Sequence, residues 1–219
     1  MLEETIAELR KTLIGYAIHV ETMIDDSMQG LIKIDKELLL QVIEKSERKA
    51  NETEILIDDL CTSIIAQFGP KAKNLRTVLM SLKINNDLER IADHAVNTAK
   101  SGLYLIRHPL VKPLLDLPRM AEASIDMLKD SLSAFVNEDP DLAVSVCDRD
   151  TVVDGLASQI LRELITYMIA DPSTIERALY LLKIARNLER TADLSTNIAE
   201  DVIYMIEGKV VKHQQQDQN

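Results

Sequence analysis

Residues 83–106, KINNDLERIADHAVNTAKSGLYLI, return one hundred positions later as residues 183–206, KIARNLERTADLSTNIAEDVIYMI. The two segments share eleven identities in twenty-four aligned positions, far more than chance supplies. Apolar residues recur in both segments at steps of three and four, the spacing of an amphipathic helix. The 219-residue chain is therefore predicted to be a duplicated unit in which each copy ends in a long helix.

The remaining sequence extends this pattern to six helices. Each long helix is preceded by a helix with a similar apolar seam, and a first helix opens each half at about residues 3–29 and 119–136. Low aromatic content, 3%, and abundant Leu, Ile, Ala, Glu and Lys are typical of packed helices. The predicted fold is all-α, with two tandem, internally duplicated antiparallel three-helix bundles, each large enough to bury its own core.

Turn chemistry predicts where the helices end. Gly30 is expected to close the first helix and Asp35 to cap the second, and Gly69-Pro70 separates the second from the third. In the second half, Asp139-Pro140 predicts a capped start, and Asp171-Pro172 is followed by a predicted capping box from Ser173 to Glu176. The predicted domains are a first bundle at 1–108, a proline-rich linker at 109–118, a second bundle at 119–208 and a disordered tail at 209–219.

Composition narrows the classes of function. The formal net charge of −11 disfavours binding to nucleic acid. An acidic N-terminus and the lack of a long apolar run predict a cytoplasmic protein without a transmembrane segment. Cys61 and Cys147 lack CxxC spacing, so we expect them to stay reduced. No spacing of His, Ser or Cys predicts a catalytic group, although His94 stands beside an acidic residue.

Acidic residues four apart form stripes that the core does not need. Both copies keep a Glu-x3-Asp-x3-Asn trio on the third helix, and the second helix of each half has a companion pair at the same offset from its own apolar seam. In the first half these residues are Glu89, Asp93 and Asn97 with Glu47 and Asn51. In the second half they are Glu189, Asp193 and Asn197 with Asp150 and Asp154. Solvated faces also show such pairs, but like charges at this spacing repel. Facing stripes of oxygen ligands predict a hard cation such as Mg²⁺, Ca²⁺, Mn²⁺ or iron, more than Zn²⁺.

The repeated Glu-Arg-x-Ala-Asp-x3-Asn motif, the Asp-x3-Asp on the preceding helix and the closing Val202-Ile-Tyr-Met-Ile-Glu-Gly208 resemble the PhoU family of bacterial phosphate-signalling regulators. The resemblance covers residues 1 to about 212. It implies a non-enzymatic cytoplasmic adaptor that represses phosphate uptake and the phosphate-starvation response. It also implies partners, namely the ATPase subunit of a phosphate ABC transporter and the PAS domain of a sensor histidine kinase, and a homodimer.

The resemblance further implies bound iron, manganese, magnesium or zinc. The residues that match the family's metal motif are Asp150, Asp154, Glu189 and Asp193 in the second half and Glu47, Glu89 and Asp93 in the first. Asn51 departs from that motif, because the family has Asp there. Two other readings stay open, a metal-dependent hydrolase and a helical scaffold that stores metal or merely solvates its stripes.

Overall fold

A computed structural model describes residues 1–208 of the chain. The prediction of a tail at 209–219 lies outside the described residues. Residues 1–208 form helices without strands, in the order α1 (Leu2–Ile32), α2 (Lys36–Gln41), a π-helical turn (Val42–Ser46), α3 (Glu47–Phe68), α4 (Ala72–Leu105), α5 (Asp116–Asn137), α6 (Pro140–Ala170), a 3₁₀ turn (Pro172–Thr174) and α7 (Ile175–Glu207). Because α2, the π turn and α3 follow one another without a break, the prediction of six long helices is confirmed.

Several helix ends are set by the predicted side chains. The carboxylates of Asp35 and Asp139 accept hydrogen bonds from the backbone N–H groups of Leu38 and Leu142, each at 3.0 Å. These bonds satisfy backbone donors that a helix start leaves unpaired. Gly69 ends α3 in the left-handed conformation with φ +52°, which glycine adopts without steric cost.

Three local predictions were wrong. Gly30 lies inside α1, where an added Cβ would stand 2.7 Å from the Leu39 side chain, so this glycine permits a close approach of two helices. Pro118 lies in the first turn of α5, which tolerates proline, and the connecting segment therefore ends at Leu115. The capping box at Ser173 does not form, because Asp171 accepts from the Ser173 N–H and starts the 3₁₀ turn instead.

The two bundles share one core. Helix α4 packs along α7 and α1 packs against α5, so each half lies directly against the other. The buried apolar side chains of both halves form a single cluster that runs through the molecule. Two contacts reinforce this junction: Arg10 of α1 and Lys73 of α4 both bind Glu138, at 2.8 and 2.6 Å. This packing places the two copies of the repeated motif next to each other.

Candidate metal centre

The second-half stripe lies where α6 packs against α7. Asp150 and Asp154 of α6 face Glu189 and Asp193 of α7, and the four carboxylates act on one another. The pKa of Asp150 rises to about 6, first because of burial and then because of the negative charges of the other three. Burial and Asp154 also raise the pKa values of Glu189 and Asp193. Four carboxylates that repel one another favour any bound cation.

One carboxylate oxygen of this cluster lacks a hydrogen-bond partner in the described structure. The Oδ1 atom of Asp150 is buried and has no hydrogen-bond partner among the described residues. A buried polar atom of this kind is costly unless a proton, a donor or a cation satisfies it. The donor set therefore fits a hard cation, which prefers carboxylate oxygens.

The first-half stripe follows the same helix register. Three of the four buried positions of α3 recur in α6 after 103 residues, as the pairs Ala50 and Val153, Ile57 and Ile160, and Cys61 and Leu164 show. Glu47 and Asn51 therefore occupy the places of Asp150 and Asp154. Glu47 is half-buried like Asp150, and Asn51 is exposed like Asp154. The structure thus supports the alignment of the two stripes that the sequence suggested.

Sequence reasoning missed two members of the first-half cluster. Burial, Asp93 and Glu54 raise the pKa of Glu89, in that order of effect, so Glu54 of α3 belongs to this group. Tyr16 of α1 also faces it, since burial and then Glu89, Glu54 and Asp93 raise the pKa of its hydroxyl, whose oxygen is buried without a partner in the described chain. The acidic spacing of Glu54 and Asp58 is the signal that could have found this part of the site.

Asp58 has a different role from the stripe. Its carboxylate accepts a hydrogen bond of 2.9 Å from the side-chain amide of Asn85, which also donates to the Glu54 carbonyl oxygen at 3.0 Å. These bonds tie α3 to α4 about one helical turn before Glu89. The second half has Ala185 at the position of Asn85, so this tie belongs to the first half alone.

Neither stripe is a closed metal site in its present geometry. Within residues 1–208, no three acidic, histidine or cysteine side chains already stand at the distances that a metal ion requires. Asp93, Asp154 and Asp193 are exposed, so their carboxylates have room to turn towards a cation. What the fold supplies is the placement of the carboxylates along two helix seams.

The two cysteines and His94, which the sequence analysis also considered, do not form a catalytic or metal-binding group with one another in the described structure. Cys61 and Cys147 are both free thiols, and burial raises their pKa values to about 12 and about 11. A thiol that resists ionisation is a poor nucleophile and a poor metal ligand. His94 is half-buried on α4, beside Asp93, and its Nδ1 atom has no partner in the described structure.

Comparison with known proteins agrees with this architecture. The PhoU domain family matches residues 15–102 and 117–202, which are the two copies of the bundle. The chain belongs to the PhoU family. It is 38% identical to "Phosphate-specific transport system accessory protein PhoU homolog" of Aquifex aeolicus, over 97% of this chain and 96% of that protein. A second PhoU homolog, from Thermotoga maritima, is 34% identical over 97% of this chain and 90% of its own length.

Solved structures of the family share the fold. The crystal structure of PhoU from Pseudomonas aeruginosa superposes with a TM-score of 0.91 at 33% identity, covering 95% of this chain and 100% of that one. The regulatory protein PhoU of the phosphate transport system from Streptococcus pneumoniae gives 0.89 at 28% identity, covering 96% and 99%. In the described part of the chain, no helix is long and apolar enough to cross a membrane.

Proposed function

We propose that this chain is a cytoplasmic adaptor that represses phosphate uptake and phosphate-starvation signalling, and that it does so without catalysis. Its relatives are named accessory proteins of phosphate-specific transport systems and match it over nearly its whole length. The adaptor links the ATPase subunit of the transporter to the PAS domain of a sensor histidine kinase, as the family resemblance implies. Deletion of the gene leaves phosphate-responsive genes active in phosphate-rich medium. Normal repression in the deletion strain would contradict this proposal.

Metal binding is the second part of the proposal. Asp150, Asp154, Glu189 and Asp193 hold one cation between α6 and α7, and Glu47, Glu54, Glu89 and Asp93 line a second place between α3 and α4. The observation that carries this part is the buried, unpartnered Oδ1 atom of Asp150 within a cluster of repelling carboxylates. A bound cation neutralises the cluster and fastens the two helices together. Elemental analysis of the purified protein tests it, and protein free of metal after incubation with Mn²⁺ and Fe²⁺ would contradict it.

A groove between α1 and α5 supports the adaptor role. A cleft of about 570 Å³ is lined by four carboxylates and one lysine, namely Glu21 and Asp25 of α1 and Glu122, Asp126 and Lys129 of α5, so its lining is acidic on balance. The groove continues between the same helices as an apolar trough, where Ile18 and Val136 are 57% and 40% exposed. Carboxylates beside exposed apolar side chains suit a positively charged amphipathic segment of a partner.

Charge reversal tests this surface. Glu122→Lys with Asp126→Lys should abolish capture of the transporter ATPase subunit by the purified adaptor. The control, Glu37→Lys with Glu52→Lys, changes the same charge at exposed sites on α2 and α3. If the Glu122→Lys, Asp126→Lys variant binds the subunit as well as the control variant does, the groove is not the docking surface.

A further inference from the structure

The repeated motif keeps an arginine that neither the core nor the acidic stripes use, and each stripe ends in an asparagine. Arg90 and Asn97 recur as Arg190 and Asn197. Both arginines are exposed, so packing does not explain why the two copies agree. A duplicated feature at the surface indicates a shared task.

All four side chains meet in one place. They line a cleft of about 590 Å³ along the seam between α4 and α7, together with Asp93, His94, Asp193 and Leu194. The two copies of the motif therefore face each other, and one arginine approaches from each helix.

The guanidinium groups of Arg90 and Arg190 make few ion pairs within the described chain. Arg90 has one ion pair, a 3.4 Å contact with Asp87 on its own helix. Arg190 makes no ion pair with any residue of the described chain. Guanidinium groups offer planar, paired N–H donors that match phosphate and similar oxyanions. Two of them in one cleft, one from each helix that lines it, favour an anion held between them.

The carboxylates of Asp93 and Asp193 oppose such an anion. They line the same cleft, and in the metal-free protein their charges cancel those of the two arginines. Both also belong to the acidic stripes, where a bound cation would neutralise them. The cleft is therefore neutral without metal and positive with it.

We propose that Arg90 and Arg190 form a binding site for a small tetrahedral oxyanion of the phosphate class, and that metal bound at the stripes switches this site on. The inference rests on the proposed metal centre. Asn97 and Asn197 supply further amide donors at the same cleft. Because coupling between two ligands is reciprocal, the oxyanion also strengthens metal binding by the same factor.

Phosphate binding to the full chain tests the inference, with inorganic phosphate as the probe. Metal content is first fixed by elemental analysis, for protein treated with chelator and for protein loaded with Mn²⁺. Calorimetric titration should then show phosphate binding at least about tenfold tighter to the loaded protein, which is the size of coupling typical between sites. Equal affinity in both forms, or no phosphate binding by protein that contains metal, would overturn the inference and leave the metal proposal standing.

Matched variants separate the arginines from direct binding of phosphate to the metal. Arg90→Gln with Arg190→Gln should weaken phosphate binding at least about tenfold, since two charged hydrogen-bonding groups are lost. Its Mn²⁺ content and circular dichroism should stay unchanged. Lys100→Gln with Lys183→Gln removes the same charge from exposed positions of the same two helices and should bind phosphate like the wild type.

Two further results have distinct meanings. If the double arginine variant binds phosphate as tightly as the wild type, the anion sits on the metal alone and the inference is wrong. If the wild type holds no Mn²⁺, the metal proposal itself fails, and the coupled site fails with it.

Discussion

The two acidic stripes have the same backbone register but different ligands. The second has Asp150 and Asp154 opposite Glu189 and Asp193, four carboxylates that act on one another. The first has Asn51 where the second has Asp154, and it gains Glu54 at the position of Ala157. Duplication fixed where the helices run, and single substitutions then set how much negative charge each seam holds. Over the four positions that both halves share, the second stripe has four carboxylates and the first has three, while Glu54 stands about one turn farther along α3. We therefore expect the second stripe to bind cations more tightly.

The largest expected effect comes from removing ligands of the second stripe. Asp154→Ala with Asp193→Ala should weaken Mn²⁺ binding in that half by at least about a hundredfold, because affinity for hard cations depends on the number of anionic ligands. Metal content by elemental analysis measures the loss. Asp141→Asn with Glu207→Gln removes the same charge at exposed positions of α6 and α7 and should bind normally. Equal losses in both double variants would show that only overall charge matters.

A smaller gain is expected from restoring the missing carboxylate of the first stripe. Asn51→Asp should strengthen Mn²⁺ binding there by up to about tenfold, because Asn51 occupies the place of Asp154. Titration in the background of the Asp154→Ala, Asp193→Ala variant isolates the first half. Glu52→Gln is the neighbouring control. Unchanged binding after Asn51→Asp would mean that Glu54 already supplies the fourth ligand, and weaker binding would contradict the ligand-count argument.

Stability should depend on pH through Asp150. Its folded-state pKa of about 6 lies above the ordinary aspartate value of 3.8, so the folded protein holds an extra proton between these values. The free energy of unfolding of the metal-free protein therefore rises as pH falls through 6, and this gain is complete below about pH 4. Asp150→Asn should remove this dependence and raise the Tm at pH 7.5 by about 2–4 °C, the change that about 1 kcal/mol gives at this size. An unchanged Tm would indicate that the cluster is well solvated.

The smallest expected effect concerns the cysteines. Cys61 is buried on α3 and Cys147 is half-buried on α6, and both are free thiols. The Tm should therefore be the same with and without dithiothreitol. A shift on adding reductant would contradict the reduced state of both thiols.

Local chemistry explains how much of the fold could be predicted. Asp35 and Asp139 cap helices through their own neighbours in sequence, so both were found. The role of Gly30 depends on Leu39 from another helix, and the shared core depends on how α4 meets α7. Sequence periodicity has no information about such contacts. The π turn at Val42–Ser46 also escaped prediction, because nothing in its apolar spacing marks a wider turn.

The residues of the candidate site also divide into those that a sequence pattern marks and those that only helix packing brings together. The stripe residues that occur in both halves, such as Glu89 and Glu189, were found because duplication repeats them. Glu54 was missed because the equivalent position of the second half has Ala157, so the repeat does not mark it. Tyr16 was missed because it reaches the stripe from α1, a different helix. Helix packing alone brings these groups together.

Anomalous diffraction from crystals soaked in Mn²⁺ tests the central claim most directly. Two peaks should appear, one between α6 and α7 beside Asp154 and Glu189 and a weaker one between α3 and α4 beside Glu89. At low Mn²⁺ concentration the α6–α7 peak should remain alone. Peaks of equal height in both halves would contradict the ranking, and the absence of any peak at the stripes would contradict the metal centre itself.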